Sequence, residues 1–288
     1  MSEKLLTIGM STYDDYDGVY FSVQALRLYQ LEGIEKDVEI IVIDNNPNSN
    51  HGKEVKNFIT GWVKGKYIPY TEKKSSFSKY EIFKHASGKY TLGMDCHVLF
   101  QKDAIKNLLI YYAKNPDTKD LIQGPLLYDD LKSFSTHFDP IWRGHMYGVW
   151  ATNQEAMAKN EPFEIPMMGM GAYSCRTLAW PQINQNFIGF GGEEGYVHEK
   201  FKRAGGRCIC LPDFKWVHRF GRPNGIPFQN VLEERLRNYF IGWLEILKDP
   251  NDSFFQTIIN AFKDRVPELI IKAIFEKAKK TYYGNIPI

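Results

Sequence analysis

The chain has 288 residues, of which 43% are hydrophobic, 24% charged and 15% aromatic, and its formal net charge is +2. This composition is typical of a soluble globular protein with a large core, and the balanced charge gives no support for a nucleic-acid-binding surface. The sequence contains no run of about 18 apolar residues and no apolar signal segment at its start. We therefore expect a cytoplasmic protein without a transmembrane segment.

The first 114 residues alternate between strand-like and helix-like segments. Apolar, β-branched runs predict strands, and apolar residues at helical spacing predict helices. In chain order the predicted segments are strand 5–10, helix 19–30, strand 38–43, helix 52–63, strand 66–70, helix 78–86 and, after a strand that carries Asp95, helix 102–114. This alternation predicts an α/β fold with an open, mainly parallel sheet, in which ligands bind beyond the carboxyl ends of the strands.

Three of these predicted strands end in polar, mostly acidic residues. The three strand ends are Tyr13-Asp14-Asp15, Asp44-Asn-Asn46 and Asp95-Cys-His97. Carboxylates that converge at one sheet edge favour a bound nucleotide and cation. Because no glycine-rich phosphate loop is present, we expect a metal ion to hold the phosphates.

Asp95 and His97 interrupt an apolar run, Tyr90 to Phe100, two residues apart. If this run is one strand, both side chains project to the same face, where burying them is costly unless a ligand uses them. The alternative is a turn between two strands whose Asp and His contact only water.

The middle of the chain is less regular than the start, and the end is helical. Residues 121–127 are predicted to form one strand. Residues 129–165 show no clear periodicity and are expected to shape an acceptor pocket, although loosely packed surface structure is equally compatible with them. Helical patterns at 231–247 and on to about residue 283, with a joint at Pro267, predict a division into a catalytic domain, 1–226, and a helical extension, 227–288. The basic, aromatic end of this extension is interpreted as a solvated helix end; the alternatives are contact with an anionic membrane surface or with nucleic acid.

The four cysteines give little support for a metal site. Cys208 and Cys210 lie in a strand-like segment without a second pair at zinc-ligand spacing. We therefore interpret them, together with Cys96 and Cys175, as reduced and mostly buried thiols.

Two further segments combine glycines with charged residues. The first contains Met168-Gly-Met-Gly171 and then Phe190-Gly-Gly-Glu-Glu194, where glycines allow close approach of the backbone to a ligand. The second, Trp216-Val-His218-Arg-Phe-Gly-Arg222, places one histidine and two arginines on a loop that can close a metal–phosphate site.

In order, these segments resemble the GT-A glycosyltransferases, specifically the family 2-like group, over roughly residues 5 to 222. The polypeptide N-acetylgalactosaminyltransferases look especially similar. They have D-x-H in place of D-x-D, a Met-x-Gly-Gly-like turn, a W-G-G-E-N segment, and V-x-H followed by Arg. The resemblance implies a GT-A fold, a Rossmann-like, mainly parallel sheet flanked by helices.

The resemblance also implies a role for each matching residue. Asp95, His97 and His218 would bind a divalent ion, Mn²⁺ or Mg²⁺, that bridges the donor's phosphates. Glu194 would be the general base and Glu193 would contact sugar hydroxyls; the alternative for both is a helix start that favours acids. The residues expected to bind the nucleotide or donor are Ser11, Tyr13, Asp14, Asp44, Lys79, Gly171, Arg219 and Arg222.

His198, one turn beyond Glu194, is interpreted as a structural histidine. Retaining relatives have Asn at the position of Glu194, so this residue favours inversion of the sugar's configuration.

The resulting prediction is a metal-dependent glycosyltransferase that moves a hexose or N-acetylhexosamine from a UDP-sugar to a hydroxyl acceptor. One alternative is transfer to hydroxymethylated bases of viral DNA, for which Lys73, Lys74 and the C-terminal lysines are the only support. The other is a catalytically silent module that binds a sugar nucleotide or a glycan.

Overall fold

The computed structural model describes residues 4–72, 76–222 and 225–284; Lys73 and Lys74, named above, lie outside them. The strands of the described part are β1 (Lys4–Thr12), β2 (Val38–Asp44), β3 (Lys66–Pro69), β4 (Gly88–Asp95), β5 (Val98–Phe100), β6 (Leu121–Gln123), β7 (Leu126–Leu127), β8 (Phe134–Ser135), β9 (His137–Arg143), β10 (Met146–Ala151), β11 (Phe163–Glu164), β12 (Ala172–Arg176), β13 (Cys208–Cys210) and β14 (Trp216–His218). The helices are α1 (Tyr16–Tyr29), α2 (Asn50–Asn57), α3 (Ile82–His85), α4 (Ala104–Lys114), α5 (Gln154–Lys159), α6 (Glu194–Arg203), α7 (Leu232–Leu247), α8 (Phe254–Phe262) and α9 (Glu268–Gly284).

The central sheet has, within the described residues, the strand order β11-β13-β6-β12-β4-β1-β2-β3. Strands β4, β1, β2 and β3 are parallel neighbours, as are β13 and β6. Strand β12 runs antiparallel between β4 and β6, and β11 runs antiparallel to β13. The prediction of a mainly parallel α/β sheet flanked by helices is therefore confirmed.

Helices cover both faces of this sheet, which is why its central strands are apolar throughout rather than alternating. On one face Leu6 and Ile8 of β1 are fully buried in the main core, whereas Ile41 of β2 belongs to a smaller cluster with Ile82 of α3 on the other. Each such side chain stabilises the fold by about 1.5–3 kcal/mol relative to exposure. Gly9 allows α3 to approach β1, because a Cβ there would lie 2.2 Å from the Ile82 side chain.

The register of the parallel strands brings the three acidic strand ends together. Ser11 of β1 is paired with Asp95 of β4, and Thr12 is paired with Asp44 of β2. The expected convergence at one sheet edge is confirmed.

A second sheet stands beside this edge, with the order β5-β14-β7-β8. Its β5–β14 pair is antiparallel and pairs His218 with Val98. The prediction of one strand over 121–127 is wrong, because β6 and β7 belong to different sheets. The chain crosses between them at Gly124, where a Cβ would lie 1.8 Å from the Phe214 carbonyl oxygen.

Residues 129–165 are more ordered than the sequence indicated. They contain the antiparallel hairpin β9–β10 and the short helix α5, which is capped by Asn153. The hairpin's register shifts between Tyr147 and Val149, where Gly148 has a φ of +122°. A bulge of this kind disrupts the simple alternation on which sequence reasoning depends.

The C-terminal helices pack into the main core. Leu236 and Phe240 of α7 are fully buried, and Phe240 contacts Phe275 of α9 with ring centroids 4.6 Å apart. Pro267 lies between α8 and α9, as predicted. The division at residue 226 stays a prediction. Across the described residues, every helix is too short or too polar to cross a lipid bilayer.

Candidate active site

Three potential metal ligands converge where the two sheets meet. Asp95 is the last residue of β4, His97 follows in a turn, and His218 ends β14. One ligand atom from each lies within 4.8 Å of the others, with 3.1 Å between the two Nε2 atoms and 3.5 Å from His218 Nε2 to Asp95 Oδ2. Of the two alternatives for Asp95 and His97, the turn between two strands is the one found, because β4 ends at Asp95 and β5 begins at Val98; this turn nevertheless brings the two side chains into one cluster with His218.

Asp15 orients His97 from behind. Its Oδ2 accepts a hydrogen bond from His97 Nδ1 at 2.9 Å and, with Oδ1, accepts the Arg219 guanidinium at 2.8 and 2.9 Å. A proton held on Nδ1 leaves the Nε2 lone pair facing the cluster, as in many metal sites. Arg222 donates to this Nε2 at 2.9 Å and therefore has to move before the ring can bind an ion.

The electrostatics of the cluster favour charged carboxylates and a neutral imidazole. Burial acts to raise the pKa of Asp95, but the charge of Lys79, 3.2 Å away, and the hydrogen bond from His218 hold it below its usual range. The same carboxylate keeps the pKa of the buried Lys79 above its usual value although burial opposes this. Burial lowers the pKa of His97, which favours the neutral ring that binds metals.

Gly171 closes the floor of the cluster. Its carbonyl accepts a hydrogen bond from the Asp95 backbone N–H at 2.9 Å. A Cβ at this position would lie 2.7 Å from the Trp216 ring, so the turn accepts only glycine without displacing Trp216.

The two acids stand at the start of α6. Gly191 and Gly192, both with φ of +91°, turn the chain into the helix so that Glu193 is 2% exposed and Glu194 half-buried. Glu193 Oε2 has no hydrogen-bond partner within the described residues. Burial, and next the Glu193 charge, raise the pKa of Glu194 to about 7.

Helix α7 holds the segment that carries these acids. The buried Asn238 side chain donates to the carbonyl oxygens of Ile188 and Gly191 at 2.7 and 2.9 Å and accepts from the Ile188 N–H at 3.1 Å. Arg235 reaches the Phe190 carbonyl oxygen at 3.5 Å. No local sequence pattern indicated this support, because the contacts join segments about 50 residues apart.

His198 is a structural residue, as expected. It is fully buried, and its Nε2 accepts the Met168 N–H at 3.0 Å and lies 2.7 Å from Gln123 Oε1. Burial lowers its pKa to about 4.

A cavity of about 1060 Å³ connects these groups. Of the residues named from the sequence, those on its wall are Ser11, Tyr13, Lys79, Asp95, His97, Gly171, Glu193, Glu194, His218 and Arg222. Those that are not on its wall are Asp14, Asp44 and Arg219.

Asp44 and Asp14 support the loops at the ends of β1 and β2. Asp44 is fully buried, and its oxygens accept hydrogen bonds from the Tyr67 hydroxyl at 2.7 Å and the Asn46 N–H at 2.9 Å. Burial raises the pKa of Asp44. The Asn46 amide donates to both oxygens of Asp14, at 3.1 and 3.0 Å. Asn45, which lies between Asp44 and Asn46 in the sequence, lines the cavity, whereas Asp14 and Asp44 do not.

Sequence reasoning missed four side chains that line the cavity. Phe138, Arg143, Met146 and Trp150 of the β9–β10 hairpin line the same cavity. The expectation that residues 129–165 shape a pocket identified the segment but none of these side chains.

The family described as "Glycosyl transferase family 2" matches residues 7–171, more than half of the chain. No curated protein matches the sequence significantly.

Solved structures resemble the chain along nearly its whole length at low sequence identity. GalNAc-T7 with UDP, GalNAc and Mn²⁺ has a TM-score of 0.66 and 13% identity, over 99% of this chain and 58% of that one. The mannosyltransferase PcManGT of Pyrobaculum calidifontis, in complex with GDP-Man and Mn²⁺, has a TM-score of 0.56 and 12% identity, over 98% and 76%. S. aureus TarS 1–349 with UDP-GlcNAc has a TM-score of 0.58 and 13% identity, over 98% and 82%. The chain thus spans less than two thirds of GalNAc-T7.

Proposed function

The chain belongs to glycosyl transferase family 2, and we propose that it moves a hexose or N-acetylhexosamine from a UDP-sugar to a hydroxyl acceptor with the help of a divalent ion. The fold is that of a GT-A glycosyltransferase. The observation that carries the finer assignment is the convergence of Asp95, His97 and His218 in a cavity that also holds Glu193 and Glu194.

The ligand set fits a divalent ion. Two imidazole nitrogens and one carboxylate oxygen are compatible with Mn²⁺, and Asp15 fixes the tautomer of His97 in the way that metal sites require. Mn²⁺ is present in the GalNAc-T7 and PcManGT structures, which supports Mn²⁺ over Mg²⁺. Asp95, His97 and His218 would hold the ion, which would supply positive charge to offset that of the departing diphosphate.

The donor would occupy the side of the cavity formed by β1 and its neighbours. Ser11 and Tyr13 would contact the nucleoside, with Asp14 and Asp44 holding these loops in place. Lys79 and Arg222 would turn towards phosphate oxygens, and Arg219 would keep its ion pair with Asp15.

Glu194 would act as general base. Its carboxylate takes the proton of the acceptor hydroxyl as that oxygen forms a bond to the anomeric carbon. The bond from this carbon to the diphosphate breaks, and its electron pair leaves with UDP. The raised pKa of Glu194 suits proton uptake near neutral pH, and Glu193 would hold sugar hydroxyls.

A thermal-shift panel of nucleotide sugars with and without Mn²⁺ tests the assignment. We expect UDP-sugars to raise the melting temperature only with the ion, because a ligand that binds the folded state stabilises it by mass action. Asp95→Ala should abolish this shift, whereas Asp129→Ala, an exposed aspartate away from the cavity, should keep it.

Release of UDP from a bound UDP-sugar distinguishes a transferase from a catalytically silent binding module. Slow hydrolysis without an acceptor is expected from a transferase. If nucleotide sugars raise the melting temperature but no UDP is released, the silent module is supported. If no nucleotide sugar raises the melting temperature, the donor assignment is refuted.

A further inference from the structure

The four hairpin residues Phe138, Arg143, Met146 and Trp150, here called the hairpin wall, give one side of the cavity its own chemistry. Two are aromatic, one is a thioether and one is a cation, and none carries a negative charge. The metal-ligand cluster and the polar loops at the ends of β1 and β2 line other parts of the same cavity, together with further aromatic residues such as Phe220 and Phe228. The hairpin wall therefore adds an aromatic surface with one cation to a cavity whose remaining lining is both polar and aromatic.

The hairpin lies beside the proposed base. Tyr147 packs against the first turn of α6, where its ring lies 3.1 Å from the position of a Cβ on Gly195, the residue after Glu194. The Tyr147 N–H donates to the Tyr239 hydroxyl of α7 at 2.9 Å. The hairpin wall and Glu194 also line the same cavity, so a molecule held on the wall would share it with the carboxylate that has to remove its proton.

The hairpin is fixed to the C-terminal helices at its turn as well. Trp142 Nε1 donates to Thr257 Oγ1 at 3.1 Å, and His145 Nδ1 donates to the Ala261 carbonyl oxygen at 3.0 Å. These bonds flank Arg143 on both sides, so the wall is formed before any ligand binds, which reduces the entropy that binding costs.

Arg143 differs from the other cations of the cavity. Lys79 is paired with Asp95, and Arg222 is bonded to His97. The Arg143 guanidinium has neither a hydrogen bond nor an ion pair to any residue that the structure describes, and the residue is exposed at the cavity edge. A free guanidinium at the edge of a binding cavity suits bidentate binding of a carboxylate or a phosphate.

Trp150 supplies the second element of recognition. Its ring packs edge-to-face on Phe138, with centroids 4.2 Å apart, and lies 3.3 Å from the position of a Cβ on Gly169. A half-buried aromatic face held in this way suits the apolar face of a sugar ring. We propose that the hairpin wall is the acceptor subsite and that it selects a saccharide with an anionic group, which Arg143 binds. This inference rests on the proposed function, because it assigns a substrate class to the same cavity.

Saturation-transfer NMR with charged and neutral sugars tests the proposal on the whole chain. UDP and Mg²⁺ are present to occupy the side of the cavity formed by β1 and its neighbours. The probes are glucose 6-phosphate, galacturonate and the methyl glycosides of glucose and galactose. We expect at least one charged sugar to bind roughly 10-fold more tightly than its neutral counterpart, as a charge-assisted hydrogen bond provides. This preference should weaken as salt is added.

Arg143→Gln should reduce the preference to less than about twofold while neutral sugars bind as before. Arg203→Gln, an exposed arginine at the far end of α6, should retain it. Trp150→Ala should weaken the binding of charged and neutral sugars alike. Equal affinity for charged and neutral sugars, no binding of either charged sugar, or displacement of glucose 6-phosphate by an equal concentration of inorganic phosphate would overturn the proposal. UDP binding is measured first; its absence refutes the proposed function, and the sugar preference is then measured without UDP.

Discussion

Replacing Asn238 with Ala tests whether this side chain positions the segment that carries Glu193 and Glu194, here called the catalytic segment, without taking part in the reaction itself. Asn238 is 1% exposed and makes three hydrogen bonds to the backbone at residues 188 and 191. At about 1 kcal/mol for each bond, Asn238→Ala should lower the free energy of unfolding by about 3 kcal/mol. For a chain of this size we expect the melting temperature to fall by roughly 6–12 °C.

The catalytic effect should exceed the effect on donor binding. Without Asn238 the turn before α6 is released, so the carboxylate of Glu194 loses its fixed position, whereas the ligands Asp95 and His218 stand on other elements. We expect kcat for UDP release to fall at least 10-fold, measured well below the melting temperature. The Mn²⁺-dependent rise in melting temperature that UDP causes should change little.

Asn107→Ala serves as the matched control. Asn107, on α4, donates one 3.3 Å hydrogen bond to the Asp213 carbonyl oxygen, far from the catalytic segment, so its loss should cost less than about 0.5 kcal/mol and leave kcat unchanged. An Asn238→Ala protein that keeps wild-type kcat, or that loses UDP binding and kcat equally, would refute the positioning role.

Four further predictions concern the site directly. Activity should rise as the pH passes through about 7, because Glu194 is active only when ionised; Glu194→Gln should remove this rise, reduce kcat about 10²-fold or more, and keep UDP binding. Since the pKa of Glu194 is raised in the folded state, the free energy of unfolding falls as the pH rises from the unfolded pKa to the folded pKa and stays lower above it, so Glu194→Gln should be more stable than wild type at pH 8 in urea titrations. Asp15→Asn should weaken Mn²⁺ binding about 10-fold or more in calorimetric titrations, because the His97 tautomer is no longer fixed, and unchanged affinity would contradict that role. Gly171→Ala should displace Trp216 and impair Mn²⁺ binding; its tryptophan fluorescence should differ from wild type, and an identical spectrum with normal binding would contradict the steric argument.

The sheet could be predicted from the sequence because its strands are short, apolar runs with clear polar ends. Asp44 and Asp95 come directly after such runs, and the parallel register then aligns them without further information. The cluster of His218 with Asp95 was predicted by resemblance to a family and not by spacing, since nothing in the local sequence relates β14 to β4.

The hairpin wall and the support from α7 could not be predicted in this way. Trp150 and Arg143 lie in a bulged hairpin whose pattern is neither alternating nor helical. Asn238 is one polar residue within an otherwise amphipathic helix, and its role depends on a loop that precedes it by about 50 residues. Such contacts are set by tertiary packing, which a single sequence does not display.

The pairing of β5 with β14 has a thermodynamic consequence. His97 and His218 are separated by 121 positions in the chain, and they meet because these two short strands are in register. An ion bound by both rings would hold the two strands together, and because the unfolded chain lacks this site, the ion would stabilise the folded state by mass action, by about 2.7 kcal/mol at an ion concentration 100 times its Kd. Ion release and local opening of the second sheet would then be one linked equilibrium, so chelation would increase amide exchange in β14 before the parallel strands are affected.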